Sequence, residues 1–259
     1  MTFSQMASDR CAELVEILKD ASAKYYRDGS SPLSDFDFDQ LIEEPQDLDP
    51  QNPFLATVGA PPTDSALQKV RHSMPMGSLK KITTPAEYKT WLKGVPNTEF
   101  LVSQKVDGLS IELIYDNGHF VQAVTRGDGE VGDDVTNTIR KAKFLPRNIS
   151  IKGKLFIRAE AILKISDWHK HFSDKANPRN AAAGLVRRTD SVGAECLSLI
   201  SFDIMFDGKD HPSRRRRMET ELDKMKLLSA DGFEVVFNKL AKVNAVEDVV
   251  QFIQSQRDK

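Results

Sequence analysis

Residues 109–125 hold two apolar runs separated by Asp116-Asn117-Gly118, and this turn limits the fold more than any other stretch of the chain. Asn-Gly takes up the pair of positive-φ residues that a two-residue type I′ hairpin requires, because glycine has no Cβ to clash and asparagine tolerates the left-handed region. Before the turn Leu109, Ile111, Leu113 and Tyr115 alternate with Ser110, Glu112 and Ile114, and residues 120–125 carry the pattern on after it. Side chains of a strand point alternately to opposite faces, so the two runs form an antiparallel ribbon whose apolar face must cover a core. Further strands are predicted at 100–102, 155–162 and 197–206, with helices at 134–142, 213–228 and 246–256. No internal repeat or low-complexity tract is present, and the class is α+β with antiparallel sheets.

Nearer the N-terminus the period changes. Leu14, Val15, Ile17, Leu18, Ala21 and Tyr25 recur at helical spacing, predicting a helix over 11–26 that ends near Asp28-Gly29. Ser34, with Asp37 three residues on, opens a second short helix through Phe38, Leu41 and Ile42, which Pro45 is predicted to stop. Residues 45–62 carry prolines, glycine and few periodic positions and read as a linker or an ordered loop crossing between two domains. The chain therefore divides into a small all-helical domain at 1–68 and a larger sheet domain at 69–259.

Composition excludes some classes. With 29% charged residues of mixed sign and a net charge of -2, the surface is not that of a protein gripping phosphates all over. A contact with DNA must come from a local patch, of which Arg214, Arg215, Arg216 and Arg217 are the strongest, or from another chain. Cys11 and Cys196 stand far apart with no ligand-type neighbours, so neither a zinc site nor a disulfide framework is expected, and both read as small apolar residues in a reducing cytosol. No apolar run suits a signal peptide or a membrane span, which points to a cytoplasmic protein without a membrane partner.

Chemistry concentrates at Lys105-Val106-Asp107-Gly108, between two predicted strands. By itself a lysine there is a solvated charge and Asp-Gly a turn. Four further segments stand in order around it. They are Tyr25-Tyr26 with Asp35-Phe36-Asp37-Phe38-Asp39; His72-Ser73-Met74-Pro75-Met76-Gly77-Ser78-Leu79; Thr125-Arg126-Gly127-Asp128-Gly129 running on to Gly132-Asp133-Asp134-Val135-Thr136; and Asn177-Pro178-Arg179-Asn180-Ala181-Ala182-Ala183-Gly184 with Arg187 beyond. Lys105-x-Asp107-Gly108 resembles the nucleophile motif of covalent nucleotidyltransferases, and the five segments together resemble the bacterial-type NAD⁺-dependent DNA ligases.

The resemblance implies NMN-binding helices followed by an ATP-grasp-like nucleotidyltransferase (adenylation) domain. It implies that Lys105 attacks the α-phosphate of NAD⁺, keeps AMP and releases NMN, and that AMP then passes to the 5′-phosphate of a DNA nick. Tyr25, Tyr26, Asp35, Phe38 and Asp39 would embrace the NMN half, Ser78 and Leu79 would lie at the adenine pocket, and Phe202 would stack on adenine. Asp107 and Glu160 would accept ribose hydroxyls, Gly108 would let the backbone approach, and Arg126, Arg179 and Arg187 would grip phosphates or sugar as planar multi-donor forks. Asp133 and Arg257 complete the implied cofactor-binding set, and Mg²⁺ would neutralise phosphate charge without a metal-ligand set of protein residues being assigned. A free lysine keeps its proton up to about pH 10.4, so the site must disfavour the ammonium, by burial or by nearby cations. Residues 155–162 place Glu160 among Ile157, Ala159 and Ala161, and strict alternation sets Phe202 on one face with Ile200 and Ile204.

Three positions depart from the family pattern: Phe38 and Ser103 stand where tyrosine and glutamate are usual, and Asp133 where glutamate is commoner. The later lysine strands, the OB-fold and the helix-hairpin-helix array of such ligases do not follow before Lys259, which makes the domain C-terminally incomplete. Either a deliberate truncation or a natural subunit of a split ligase, as in some bacteriophages, fits this. The split subunit is favoured, because a cut before two sheet strands leaves open backbone edges. The expected partners are a second subunit carrying the remaining motifs and nicked double-stranded DNA, with no sealing by this chain alone. The competing reading is a non-catalytic accessory subunit that only holds NAD⁺.

Overall fold

The computed structural model describes residues 3–28, 32–33, 35–56, 67–79, 82, 84–95, 99–208, 218–242 and 251. In chain order its elements are α1 (Phe3–Asp28), α2 (Asp35–Leu48), β1 (Lys69–Arg71), α3 (Pro85–Lys93), β2 (Glu99–Ser103), β3 (Leu109–Asp116), β4 (His119–Thr125), β5 (Val131–Asp133), α4 (Thr136–Ile139), β6 (Lys154–Leu163), α5 (Ile165–His171), α6 (Pro178–Val186), β7 (Leu197–Phe206), α7 (Glu221–Ala230) and β8 (Asn238–Lys242). Asn117 and Gly118 both take positive φ, 49° and 87°, and the hairpin β3–β4 forms around them.

The hairpin is half of a four-stranded antiparallel sheet of order β4-β3-β6-β7. On one face Ile111, Leu113 and Tyr115 of β3 are fully buried beside Leu155, Ile157, Ala159 and Ala161 of β6. Leu197, Leu199, Ile204 and Phe206 of β7 continue this layer, and Ala182 and Val186 of α6 with Met225 and Leu228 of α7 join the same cluster. Each large aliphatic side chain withdrawn from water contributes about 1.5–3 kcal/mol, so this face holds the sheet together. The opposite face carries Ser110, Glu112 and Glu160. Two smaller antiparallel pairs, β1–β5 and β2–β8, complete the strands.

Several elements differ from the sequence reading. α2 runs through Pro45 to Leu48 instead of stopping there; the proline removes the bond to the Leu41 carbonyl and crowds that carbonyl, while its ring is buried. The helix predicted at 134–142 is four residues long: from Lys143 the backbone turns to bond β7, its N–H donating to the Leu197 carbonyl at 2.8 Å. The helix predicted at 213–228 starts instead after Thr220, whose side chain caps Asp223 N in a capping box, and 209–217, with the four arginines, lie outside the described residues. Of 246–256 only Gln251 is described, and it is helical. α3, α5, α6, β1, β5 and β8 were not predicted. Among the described residues no helix is long and apolar enough to cross a membrane. Cys11 is buried and Cys196 half-buried, both as free thiols.

Candidate active site

The polar end of the sheet is built around one register pair. Ser110 of β3 lies opposite Glu160 of β6, and the Ser110 hydroxyl donates to Glu160 Oε2 at 2.8 Å. Burial raises the Glu160 carboxyl above its ordinary range, opposed by the Ser110 hydrogen bond and by the positive charges of Arg179, Lys105 and Arg126. Three of the cations singled out in the sequence thus act on one carboxylate, although they come from a loop, a strand end and a helix.

Each is delivered by local structure. Gly108 presses against β6 so closely that a Cβ there would lie 2.3 Å from the Ala161 carbonyl oxygen, which fixes where the loop bearing Lys105 and Asp107 enters β3. Upstream, the Gln104 N–H donates to the Phe237 carbonyl at 3.0 Å and anchors the other end of that loop. Arg179 sits in the first turn of α6, where the Asn177 side chain accepts from Asn180 N and Pro178 takes the position that needs no donor. Its Nη1 lies 3.2 Å from Asp107 Oδ1. Arg126 follows β4 directly, its N–H donating to the Ser110 carbonyl at 3.0 Å.

Lys105 and Asp107 are exposed, so the burial that the sequence reading offered as one way to disfavour the ammonium is not found around Lys105. Asp133 and Arg187 form a second grouping. Asp133 is buried and pairs with Lys69, while burial lowers the Arg187 guanidinium, opposed by the Asp133 charge. Phe202 corrects the alternation argument. Arg158 pairs with Asp203 but Ala159 with Ser201, so Phe202 is the extra residue of a β-bulge. In consequence Ile200 lies opposite Glu160 on the polar face, whereas Ile204 lies opposite Ile157 in the core; Phe202 is half-buried and packs against the core's edge.

Ser78 and Leu79 are exposed, Leu79 at 86%. Phe38 is half-buried on α2, and the side chains of Tyr25, Tyr26, Asp35 and Asp39, like Arg257 as a whole, lie outside the described residues. The sequence reading missed Ser110, although alternation already set it on the face of Glu112, two residues from Gly108. It also missed the buried pair of His72 and Glu112, 2.9 Å apart, for which no sequence signal exists because the partners are far apart in the chain. A separate open cleft of about 540 Å³, lined by Gln122, Asp134, Asn137 and Arg188 among others, touches none of these site residues.

Residues 64–259 match the family model described as the NAD-dependent DNA ligase adenylation domain. The chain belongs to this family. Residues 4–66 of this ligase-family chain match a second model, the DNA ligase-like N-terminal NAD⁺-binding domain. The DNA ligase of Treponema denticola is 36% identical over 253 residues, covering 94% of this chain and 39% of the relative. That of Sorangium cellulosum is 36% identical over 234 residues, covering 80% and 34%, and that of Treponema pallidum 34% over 241 residues, covering 89% and 29%. The adenylation-family chain therefore spans 39% or less of the length of these curated relatives.

Proposed function

We propose that this chain takes AMP from NAD⁺ onto Lys105. The observation that carries the reading is the convergence of Lys105, Arg126 and Arg179 on the half-buried Glu160–Ser110 pair, with Gly108 holding the Lys105 loop against the same strands. The ε-amine, having given up its proton, forms a nitrogen–phosphorus bond to the α-phosphorus. The bond from that phosphorus to the bridging oxygen breaks, and its electron pair leaves with NMN.

Glu160 and Ser110 suit ribose hydroxyls, since a half-buried carboxylate that a ligand covers is best satisfied by donors from that ligand. Asp107, held by Arg179, faces the same sugar, while Arg126 and Arg179 spread positive charge over the phosphates. In this reading Phe202, Ser78 and Leu79 bound the adenine, Asp133 and Arg187 hold the pocket wall, Arg257 reaches the phosphates, and Tyr25, Tyr26, Asp35, Phe38 and Asp39 receive the NMN half. In this reading Mg²⁺ would sit on the nucleotide's phosphates, with no set of protein ligands assigned to it. Bound there it supplies charge neutralisation. The reading extends to nicked double-stranded DNA as the acceptor of AMP, to a second polypeptide with the remaining lysine motifs and DNA-binding domains, and to a cytoplasmic setting.

Intact-protein mass spectrometry after incubation with NAD⁺ and Mg²⁺ tests the proposal. The wild type should gain one AMP, and Lys105→Ala should gain none while still binding NAD⁺. No gain by the wild type, alone or with a candidate second polypeptide, or an equal gain by Lys105→Ala, overturns it. An accessory subunit would show binding with no mass change.

A further inference from the structure

On the polar face of β3 the next residue after Ser110 is Glu112, and it is completely buried together with the side chain of His72. His72 Nδ1 lies 2.9 Å from Glu112 Oε2, and Nε2 lies 3.0 Å from the Thr125 carbonyl and 3.2 Å from the Arg126 carbonyl. Both carbonyls only accept, so Nε2 carries a proton. Burial pushes the His72 imidazolium toward neutrality, but the hydrogen bond and charge of Glu112, with the two carbonyls, outweigh it and its pKa is raised.

The two carbonyls bracket the Arg126 Cα, so one ring nitrogen pins the peptide planes on both sides of that residue. The main chain of the same segment grips the following turn: His72 N–H donates to the Glu130 carbonyl and Met76 N–H to the Gly129 carbonyl, both at 2.8 Å. Arg158 Nη2 donates to the Pro75 carbonyl at 2.8 Å and closes the segment onto β6. Arg126 N–H in turn donates to the Ser110 carbonyl, and the Ser110 side chain to Glu160. A buried polar pair is a poor way to gain stability, since well-packed apolar side chains often do as well. What it adds here is a side-chain hold on the backbone at Arg126, beside the Arg126 N–H bond to Ser110 and the Gly129 N–H bond to the Arg126 carbonyl.

We propose that His72, buried between Glu112 and the two carbonyls flanking the Arg126 Cα, is a positioning residue that holds Arg126 toward Glu160 and the bound nucleotide. The proposal rests on the adenylation reading for the role of Arg126, but nothing in that reading involves His72.

A double-mutant cycle on the full chain tests it, using His72→Gln in wild-type and Arg126→Ala backgrounds. If His72→Gln does not fold, His72→Leu with Glu112→Leu replaces the pair by apolar side chains. The readouts are the dissociation constant for AMP and the rate of Lys105 adenylation by NAD⁺. With Arg126 present the variant should weaken one or both about tenfold, and with Arg126→Ala the further loss should stay under about twofold. Equal losses in the two backgrounds, or no loss with Arg126 present, overturn the proposal. A chain that binds AMP but accepts no adenylate refutes the transfer reading alone, and the cycle on AMP binding then decides for His72. A chain that binds no AMP overturns both.

Discussion

Replacing Gly108 by alanine would set a methyl group 2.3 Å from the Ala161 carbonyl oxygen, 2.8 Å from Ile162 Cγ2 and 3.0 Å from the Ala161 carbonyl carbon. Two of these atoms are backbone of a central strand and cannot rotate away. Ordinary contact begins near 3.4 Å, so the entry to β3 must retreat from β6 by about 1 Å. Overpacking of this kind costs about 1–3 kcal/mol, which for a chain of this size lowers Tm by about 2–4 °C per kcal/mol. The functional loss should be larger than the stability loss. Lys105 and Asp107 ride on the displaced loop, and a misplacement of about 1 Å at a reacting group costs on the order of 100-fold in rate. The assay is the time course of AMP incorporation from NAD⁺ by intact mass, beside a thermal melt of the same preparation. Adenylation within about threefold of wild type, with Tm unchanged, would refute the claim that close approach at Gly108 sets the Lys105 loop.

Two further outcomes follow from the same geometry. Glu160 has its folded pKa raised, so the folded state holds that proton more tightly than the unfolded chain. Its contribution is fully present below the ordinary carboxyl pKa and is lost as pH rises through the raised value. Glu160→Gln stays neutral and should therefore raise Tm at neutral pH by about 2 °C or more while weakening AMP binding, with the Tm advantage shrinking toward about pH 4. A variant less stable than wild type at neutral pH would contradict this. Gly184 lies inside α6, and a methyl group added there would meet nothing within 4 Å, so Gly184→Ala should stabilise by about 0.5–1 kcal/mol, read by urea denaturation. A destabilised variant would show that the helix face is needed by something else.

Two helices outside the predicted set carry local start signals in the sequence. Thr84-Pro85-Ala86-Glu87 is a capping box with proline at the first helical position, and Asn177-Pro178 is the same kind of start signal; they open α3 and α6. Other features were out of reach. β1 and β5 are three residues each, too short for a period, and they pair across some sixty positions as Lys69↔Asp133, Val70↔Gly132 and Arg71↔Val131. The bulge at Phe202 is equally silent, since one unpaired residue leaves composition and apolar pattern unchanged while moving Ile204 to the opposite face from Ile200.

The hairpin at Asn117-Gly118, the apolar face of β3 and the order of the motifs around Lys105 follow from the sequence because each depends on neighbours a few positions away. Turn chemistry and side-chain period are local properties. Which charges meet is not local. Glu160 acquires Ser110, Arg126, Arg179 and Lys105 only through the β3–β6 register and the placement of α6, and the fully buried Glu112 acquires its partner only because a segment forty residues away brings His72 over it. Tertiary contact alone decides burial and electrostatic environment, and those turn a polar residue on a strand into part of a site.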